Sequence, residues 1–245
     1  MNRPDWIALD ESSRHSLRFV WDDARVDADF RADNTALLDA AALLSIRARM
    51  ALAVGLYEWL VWRFDGLHDR AEPKQVLQAA WCGTVDPRYL KYFELVRQDW
   101  TGPIDGALWC GMTHLSHGVN NGHAYEGDLY AALGFLYRLT VHVLPLRNSL
   151  DRWLEPVLAR LAQQHPVQPI DPLADLFDRH IAEQLGPLVG RRALDPSLPF
   201  DVAHDRQFLA GCLADAAADG NPFLSSPQDL IDFDLDVAGE HYPLP

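Results

Sequence analysis

The chain has 245 residues, of which 49% are hydrophobic and 23% charged, a composition typical of a globular protein with a sizeable core. Acidic residues outnumber basic ones by 35 to 21, which gives a formal net charge of −14, and every basic residue except Lys74 and Lys91 is an arginine. This balance argues against nucleic acid and anionic membranes as partners, because both require clustered cations, and it favours cationic partners.

The N-terminal segment carries no apolar stretch behind a basic one, so no signal peptide is predicted. Residues 16–30 then alternate between apolar and polar side chains on both sides of Asp22-Asp23-Ala24, a sequence typical of a turn. This pattern is compatible with a β-hairpin. An irregular arm that packs through its aromatic residues fits it equally well.

The next segment predicts one long central helix over residues 35–64. Asn34 is a suitable N-cap, and Gly66 follows the last periodic residue. The apolar residues cover more than one face, so we expect a helix of about 45 Å that other elements contact on several sides. Its charged residues Arg47, Arg49 and Glu58 must then snorkel, pair or mark exposed turns. The longest apolar run, residues 50–57, is too short to span a bilayer.

Shorter helices follow, separated by glycine- and proline-rich connections. Asp86 and Asp171 each precede a proline, as expected of an N-cap followed by proline at the first helical position. A kink is expected at Pro156. We predict one mainly helical domain, with a possible C-terminal subdomain from about residue 187 to 245. The predicted helices span residues 73–82, 88–98, 104–116, 125–143, 149–164, 172–185 and 202–218.

A group of histidines between two of these helices is the one metal-like pattern in the sequence. His114 and His117 are three residues apart, as required for neighbours on a helix face, and His123 and Glu126 follow a turn-forming stretch. Imidazole and carboxylate groups bind zinc or iron. The spacing matches no strong metal signature, however, so ordinary helix-end and loop histidines remain the simpler interpretation.

The C-terminal region concentrates the negative charge. Residues 201–245 contain nine acidic residues and one arginine, hence a net charge of −8. Within this region, residues 231–237 read Ile-Asp-Phe-Asp-Leu-Asp-Val, so that Asp232, Asp234 and Asp236 alternate with apolar residues as on a strand with one wet face. Three interpretations stay open: a charged edge strand that resists pairing with other chains, recognition of a basic protein surface, or calcium binding.

No catalytic signature accompanies these features. The sequence has no nucleophile elbow, phosphate-binding loop or dinucleotide-binding glycine motif. Cys82, Cys110 and Cys212 are widely spaced and odd in number, which indicates neither a disulfide framework nor a zinc site and suits a reducing cytoplasm. We therefore expect a cytoplasmic protein that lacks a cofactor and is more plausibly a binding protein than an enzyme.

The expected fold is a mainly α, irregular helical bundle around the 35–64 helix. An optional small β element joins residues 16–30 to 231–237. The leading functional hypothesis is an acidic module that binds and neutralises or chaperones a cationic protein, as an immunity protein does for a bacterial toxin. An aromatic patch drawn from the eight tryptophans would supply affinity. The residues expected to contact the partner are Asp229, Asp232, Asp234, Asp236 and Glu240.

Two alternatives belong to other functional classes. The first is an α-helical metal-dependent enzyme that uses His114, His117, His123 and Glu126 as ligands. The second is a helical scaffold subunit of a larger complex. The sequence leaves the identity of the partner and the oligomeric state open.

Overall fold

A computed structural model describes residues 1–9, 15–26, 28–122, 125–167, 185–232 and 242–245. The described chain is mainly helical, which confirms the predicted fold class, and 3₁₀ turns lie at Pro87–Tyr89, Arg97–Asp99 and Arg191–Leu194. None of the helices in these ranges is both long enough and apolar enough to cross a membrane. The α-helices are α1 (Thr35–Ala41), α2 (Ile46–Phe64), α3 (Glu72–Gly83), α4 (Gly102–Asn121), α5 (Glu126–Val143), α6 (Arg147–Gln164), α7 (Val202–Ala218) and α8 (Pro227–Asp232).

Helix α2 is the centre of the fold, and all 19 of its residues are buried. It packs against α3, α4 and α5, while α4 and α5 pack on each other and α7 packs on α3. A helix that is buried on every side needs apolar residues on every face, which explains why its hydrophobic pattern covers more than one stripe. The predicted contacts on several sides are therefore present.

The arginines of α2 bind carbonyl groups that neighbouring segments leave without helical partners. The Arg47 guanidinium donates to the carbonyls of Thr84 (3.2 Å) and Val85 (2.8 Å), immediately beyond the end of α3, and to that of Gly186. Arg63 donates to the carbonyl of Val143 (3.2 Å), the last residue of α5. The last carbonyls of a helix lack intrahelical donors, so these arginines cap helix C-termini from inside the core.

The predicted helix over residues 35–64 is divided into α1 and α2 by residues 42–45. The Ser45 N–H donates to the carbonyl of His165 (2.9 Å), and the Leu43 carbonyl accepts from Val167 (2.9 Å). Leu44 thereby forms an antiparallel bridge with Pro166. The Ser45 hydroxyl then accepts from the Ala48 N–H (3.4 Å) and caps α2. Pairing with the chain beyond α6 replaces the helical hydrogen bonds at the break.

The predicted helix over residues 88–98 is wrong, because this segment pairs with the C-terminal region. The Lys91 N–H donates to the carbonyl of Phe223 (2.8 Å), and the Ser225 N–H donates to that of Tyr89 (2.9 Å). Leu90 and Leu224 form the antiparallel bridge between these bonds. The other predicted helices agree with α3 to α7 within a few residues, except that 172–184 lies outside the described residues.

The optional β element is absent from the described parts of both segments assigned to it. Residues 16–26 and 28–30 contain no strand, although the predicted turn is present as a hydrogen bond from the Arg25 N–H to the Asp22 carbonyl (2.9 Å). Ile231 and Asp232 are the last residues of α8, and 233–237 lies outside the described residues. The N-terminal segment packs instead through its aromatic residues, with Phe19 against Phe64.

Candidate partner-binding surface

The segment between α3 and α4 presents an exposed aromatic side chain. Tyr92 is 69% exposed, because the pairing of residues 89–91 with 223–225 holds the segment in an extended course across the surface. Tyr92 lines two clefts. We call the two clefts together the Tyr92 surface.

The first cleft has a volume of about 440 Å³ and joins the Tyr92 segment to the C-terminal region. Its walls include Leu90, Lys91, Asn121 and Asp229 in addition to Tyr92. Asp229 is a residue that the sequence assigns to partner binding, so one predicted contact residue lies beside an exposed aromatic ring. The Lys91 ammonium is 3.1 Å from the Asp229 carboxylate and is therefore already paired.

Asp229 also fixes the start of α8. Its Oδ2 accepts from the Ser226 N–H (2.8 Å) and the Ser226 hydroxyl (2.9 Å), and the Asp229 N–H donates to the Ser226 hydroxyl (3.2 Å). This reciprocal arrangement is a capping box. The Ser226 N–H, then the Ser226 hydroxyl and Lys91, lower the pKa of Asp229 below its ordinary value, so the carboxylate stays charged near neutral pH.

The second cleft has a volume of about 430 Å³ and lies between the same segment and α4. The Trp109 indole N–H donates to the Leu95 carbonyl (2.9 Å), which holds the segment against the helix. The Tyr92 hydroxyl donates to the Glu94 carboxylate (2.6 Å) at the rim. This hydrogen bond raises the pKa of Tyr92, so the ring remains a neutral phenol.

The remaining predicted partner residues follow Asp229 along the chain. Asp232 is the last residue of α8 and lies three residues beyond Asp229. Asp234, Asp236 and Glu240 lie outside the described residues. The acidic stretch therefore begins at the first cleft. The role of its residues beyond α8 in partner binding stays a prediction.

The candidate metal ligands make other contacts wherever the structure describes them. The His114 ring stacks on Phe135 with a centroid distance of 3.5 Å, and the Glu126 carboxylate lies 3.3 Å from the Arg49 guanidinium. His117 Nε2 is 3.9 Å from an Asp128 oxygen. Across the described ranges, no group of three His, Cys, Asp or Glu side chains could hold a metal ion. His123 lies outside those ranges, so the metal hypothesis stays a prediction.

Sequence reasoning missed Tyr92 and Trp109 as surface residues. The helix predicted over 88–98 left Tyr92 without a role. A usable signal was present: residues 92–96 read Tyr-Phe-Glu-Leu-Val, a run rich in residues that favour extended backbone. Most of the eight tryptophans belong to the core, since Trp59, Trp62, Trp81, Trp100 and Trp153 are buried.

No known family, no curated protein and no solved structure matches this chain. Function is therefore inferred from the geometry of its own residues.

Proposed function

We propose that this protein is a non-enzymatic, acidic protein-binding module that binds a cationic protein partner through the Tyr92 surface and the acidic stretch that follows it. One observation supports this most directly: the exposed ring of Tyr92 and the carboxylate of Asp229 line the same cleft, at the start of that stretch. An aromatic anchor beside a charged segment provides both parts of a selective interface.

The acidic stretch steers the cationic partner towards the surface by electrostatic attraction. Residues 229–240 contain five carboxylates and neither lysine nor arginine. Closely spaced like charges repel each other, and a cationic partner relieves that repulsion. Opposite charges also accelerate encounter, and this acceleration falls as ionic strength rises. The partner should therefore associate fast at low salt and more slowly at high salt.

The Tyr92 surface supplies affinity. Tyrosine is enriched among the residues that carry most of the binding free energy of protein interfaces, because its ring buries a large area with few rotatable bonds. A basic side chain of the partner could also lie over the ring, where cation–π attraction adds to the contact. Neutralisation of a toxin domain is the form of this function that the acidic surface suits best, and a neighbouring gene for a basic toxin-like protein would identify the partner.

The test begins with a pull-down from the native host, followed by measurement of the association kinetics of the purified pair. Replacement of Asp232, Asp234 and Asp236 by lysine should slow association at least about tenfold at low salt. The matched control replaces the exposed Asp39, Asp69 and Glu155 by lysine, which changes the net charge equally at other places. The control should have a much smaller effect.

Replacement of Tyr92 by alanine should accelerate dissociation by about 30-fold, the equivalent of about 2 kcal/mol for a hot-spot residue. Affinity that is unaffected by charge reversal at Asp232, Asp234 and Asp236 would contradict the proposal. So would equal effects of the test and control triple variants, because they would indicate only a response to total charge.

A further inference from the structure

The segment between α3 and α4 has the side-chain pattern of a β-strand without the pairing of one. Tyr92, Glu94 and Val96 are exposed, whereas Phe93 and Leu95 between them are partly buried and pack against the core. The hydrogen bond from the Tyr92 hydroxyl to the Glu94 carboxylate places these two side chains on the same face. Alternation with a period of two is the geometry of an extended strand.

Backbone pairing ends where this alternation begins. The Lys91 N–H is the last in the segment to bond to the C-terminal region. Within the described chain, the N–H groups of residues 92–96 donate no hydrogen bond, and the first three carbonyls of that range accept none. The fourth carbonyl, that of Leu95, accepts from the Trp109 indole and so fixes the segment on α4. The segment is therefore held in place while most of its backbone groups have no partner in the chain.

Open space lies beside these backbone groups. The second cleft, with a volume of about 430 Å³, is bordered by Tyr92 to Leu95 on one side and by residues of α4 that include Thr113 and His117 on the other. Thr113 and His117 are both exposed. A chain that enters this cleft therefore meets exposed side chains and does not have to open the core.

We propose that residues 92–96 are the docking edge for an extended, basic segment of the cationic partner, which adds to them as a β-strand. This inference rests on the proposed function and specifies the form of the contact. Backbone hydrogen bonds supply affinity, and the partner's outward side chains lie opposite Tyr92 and Glu94. Glu94 is exposed and has no ion pair within the described chain, so a lysine or arginine of the partner supplies its counterion.

A second copy of this chain is a poorer occupant of the same edge. Antiparallel pairing of two such segments about their middle residue places Glu94 opposite Glu94, and like charges directly opposite each other are destabilising. The net charge of −14 on each copy adds to the repulsion. A basic segment turns both repulsions into attraction. A charged edge that only resists pairing is the other alternative, and such an edge would bind no strand at all.

The test uses the full chain and two synthetic peptides of equal charge. The probe is acetyl-Thr-Val-Lys-Val-Arg-Val-Thr-amide, in which the basic residues share one face of a strand. The control peptide carries N-methyl groups on the central valine and on the arginine, which blocks backbone pairing along both edges. In ¹H–¹⁵N spectra the probe should shift the amide resonances of residues 92–96, with a dissociation constant of about 1 mM or tighter, and slow their hydrogen exchange. The methylated peptide should bind at least about tenfold more weakly, because it lacks two hydrogen bonds.

The matched variants are Glu94→Gln and Glu155→Gln, which each remove one exposed carboxylate. Glu94→Gln should weaken binding of the probe about threefold, as expected for one exposed ion pair, and Glu155→Gln should leave it nearly unchanged. Equal binding of the two peptides, or shifts confined to other residues, would overturn strand addition. The proposed function would then still stand or fall on the kinetics of the native partner. Self-association that shifts the 92–96 resonances without peptide would assign the edge to a second copy and would also overturn the inference.

Discussion

At the scale of single residues, the buried pair of Glu58 and Arg191 joins α2 to the 3₁₀ turn that precedes α7. Glu58 is fully buried, and its carboxylate receives the Arg191 guanidinium at 2.9 Å on each oxygen and the Trp81 indole N–H at 2.8 Å. Burial raises the pKa of Glu58, and the Arg191 charge opposes that rise. The pair can remain charged in the core because both oxygens of the Glu58 carboxylate accept hydrogen bonds.

Replacement of Glu58 by glutamine should therefore lower the free energy of unfolding by about 3 kcal/mol, because the Arg191 charge is left without its counterion in the interior. Urea denaturation at neutral pH measures this loss. The double variant Glu58→Leu with Arg191→Met should be more stable than the single variant, since it removes both charges together. A double variant that is less stable than Glu58→Gln would contradict this account.

Three other ionisable residues have buried polar atoms whose hydrogen bonding is incomplete. Both oxygens of Asp205, both ring nitrogens of His165, and Nε and Nη2 of Arg160 are buried without a hydrogen bond of normal geometry in the described chain. Burial raises the pKa of Asp205 to about 6, although the nearby Gly190 amide and Arg160 oppose the rise. Burial, followed by the Arg160 charge, lowers the pKa of His165 to about 4.

These two pKa shifts should produce opposite pH dependences in the same window. Between pH 4 and 6, native Asp205 holds a proton that the unfolded chain has released, so its contribution to stability falls as pH rises. Over nearly the same range the unfolded chain protonates His165 and the native state does not, so the contribution of His165 rises with pH. Each shift of about two pH units corresponds to about 3 kcal/mol.

Relative to the unmodified protein, Asp205→Asn should therefore gain about 3 kcal/mol in unfolding free energy between pH 4 and pH 7, and His165→Gln should lose a similar amount. Urea denaturation at several pH values measures both differences. Asp215→Asn, on the exposed side of the same helix as Asp205, serves as the control and should change the unfolding free energy by less than about 1 kcal/mol over this pH range, because exposed charges interact weakly. Parallel curves for all four proteins would refute the prediction.

At the scale of elements, α8 shows how a few residues start a short helix in a region where the hydrophobic pattern favours a strand. Ser226 is followed by Pro227 at the first helical position and by Asp229, which completes the capping box. These local hydrogen bonds stabilise a helical backbone that extends to Asp232. The alternation of Asp and apolar residues that begins at Ile231 therefore starts inside a helix.

Replacement of Ser226 by alanine should lower the free energy of unfolding by about 1 kcal/mol, because the Asp229 N–H at the start of α8 loses its acceptor. Ser226→Thr keeps a hydroxyl and should recover most of that loss. Thermal or urea unfolding distinguishes the two variants. Equal stabilities of the alanine and threonine variants would show that the hydroxyl does not stabilise this helix.

Most helices could be predicted from the sequence because local signals fix them. Asp201, for example, caps α7 through the N–H groups of Ala203 and His204, and the predicted helix 202–218 matches the observed one. The break between α1 and α2 could not be predicted in this way. Its hydrogen bonds go to His165 and Val167, more than 100 residues away along the chain. Such pairing overrides the helix propensity of the local sequence, and it cannot be read from the hydrophobic periodicity.

The candidate site was predictable only in part for the same reason. The charge of Asp229 and its place in the acidic region are visible in the sequence. Its place in the capping box of α8 was also readable, from Ser226-Pro227-Gln228-Asp229, but the strand-like alternation beyond it favoured a different interpretation. The exposure of Tyr92 depends on the pairing of Leu90 with Leu224, which is a tertiary contact.

At the scale of the whole molecule, the net charge of −14 opposes the compact state. Arg47, Arg49 and Arg63 are buried in α2, where they bind carbonyl groups, and Arg49 also lies beside the Glu126 carboxylate. Asp215 and Asp219 lie four residues apart on the exposed side at the end of α7, where like charges repel. Self-repulsion of this kind destabilises the folded chain.

Added salt should therefore stabilise this protein at pH 7.5, because screening reduces the repulsion among its carboxylates. An increase from about 0.01 M to about 0.5 M KCl shortens the Debye length several-fold, and it should raise the melting temperature by about 3 °C, the equivalent of about 1 kcal/mol. Near pH 5, which equals the isoelectric point of the sequence, the net charge vanishes. Salt then weakens only the exposed ion pairs, each worth less than about 1 kcal/mol, so the melting temperature should stay constant or fall slightly. An equal rise at both pH values would instead indicate a general effect of the salt on hydration, and would contradict repulsion as the cause.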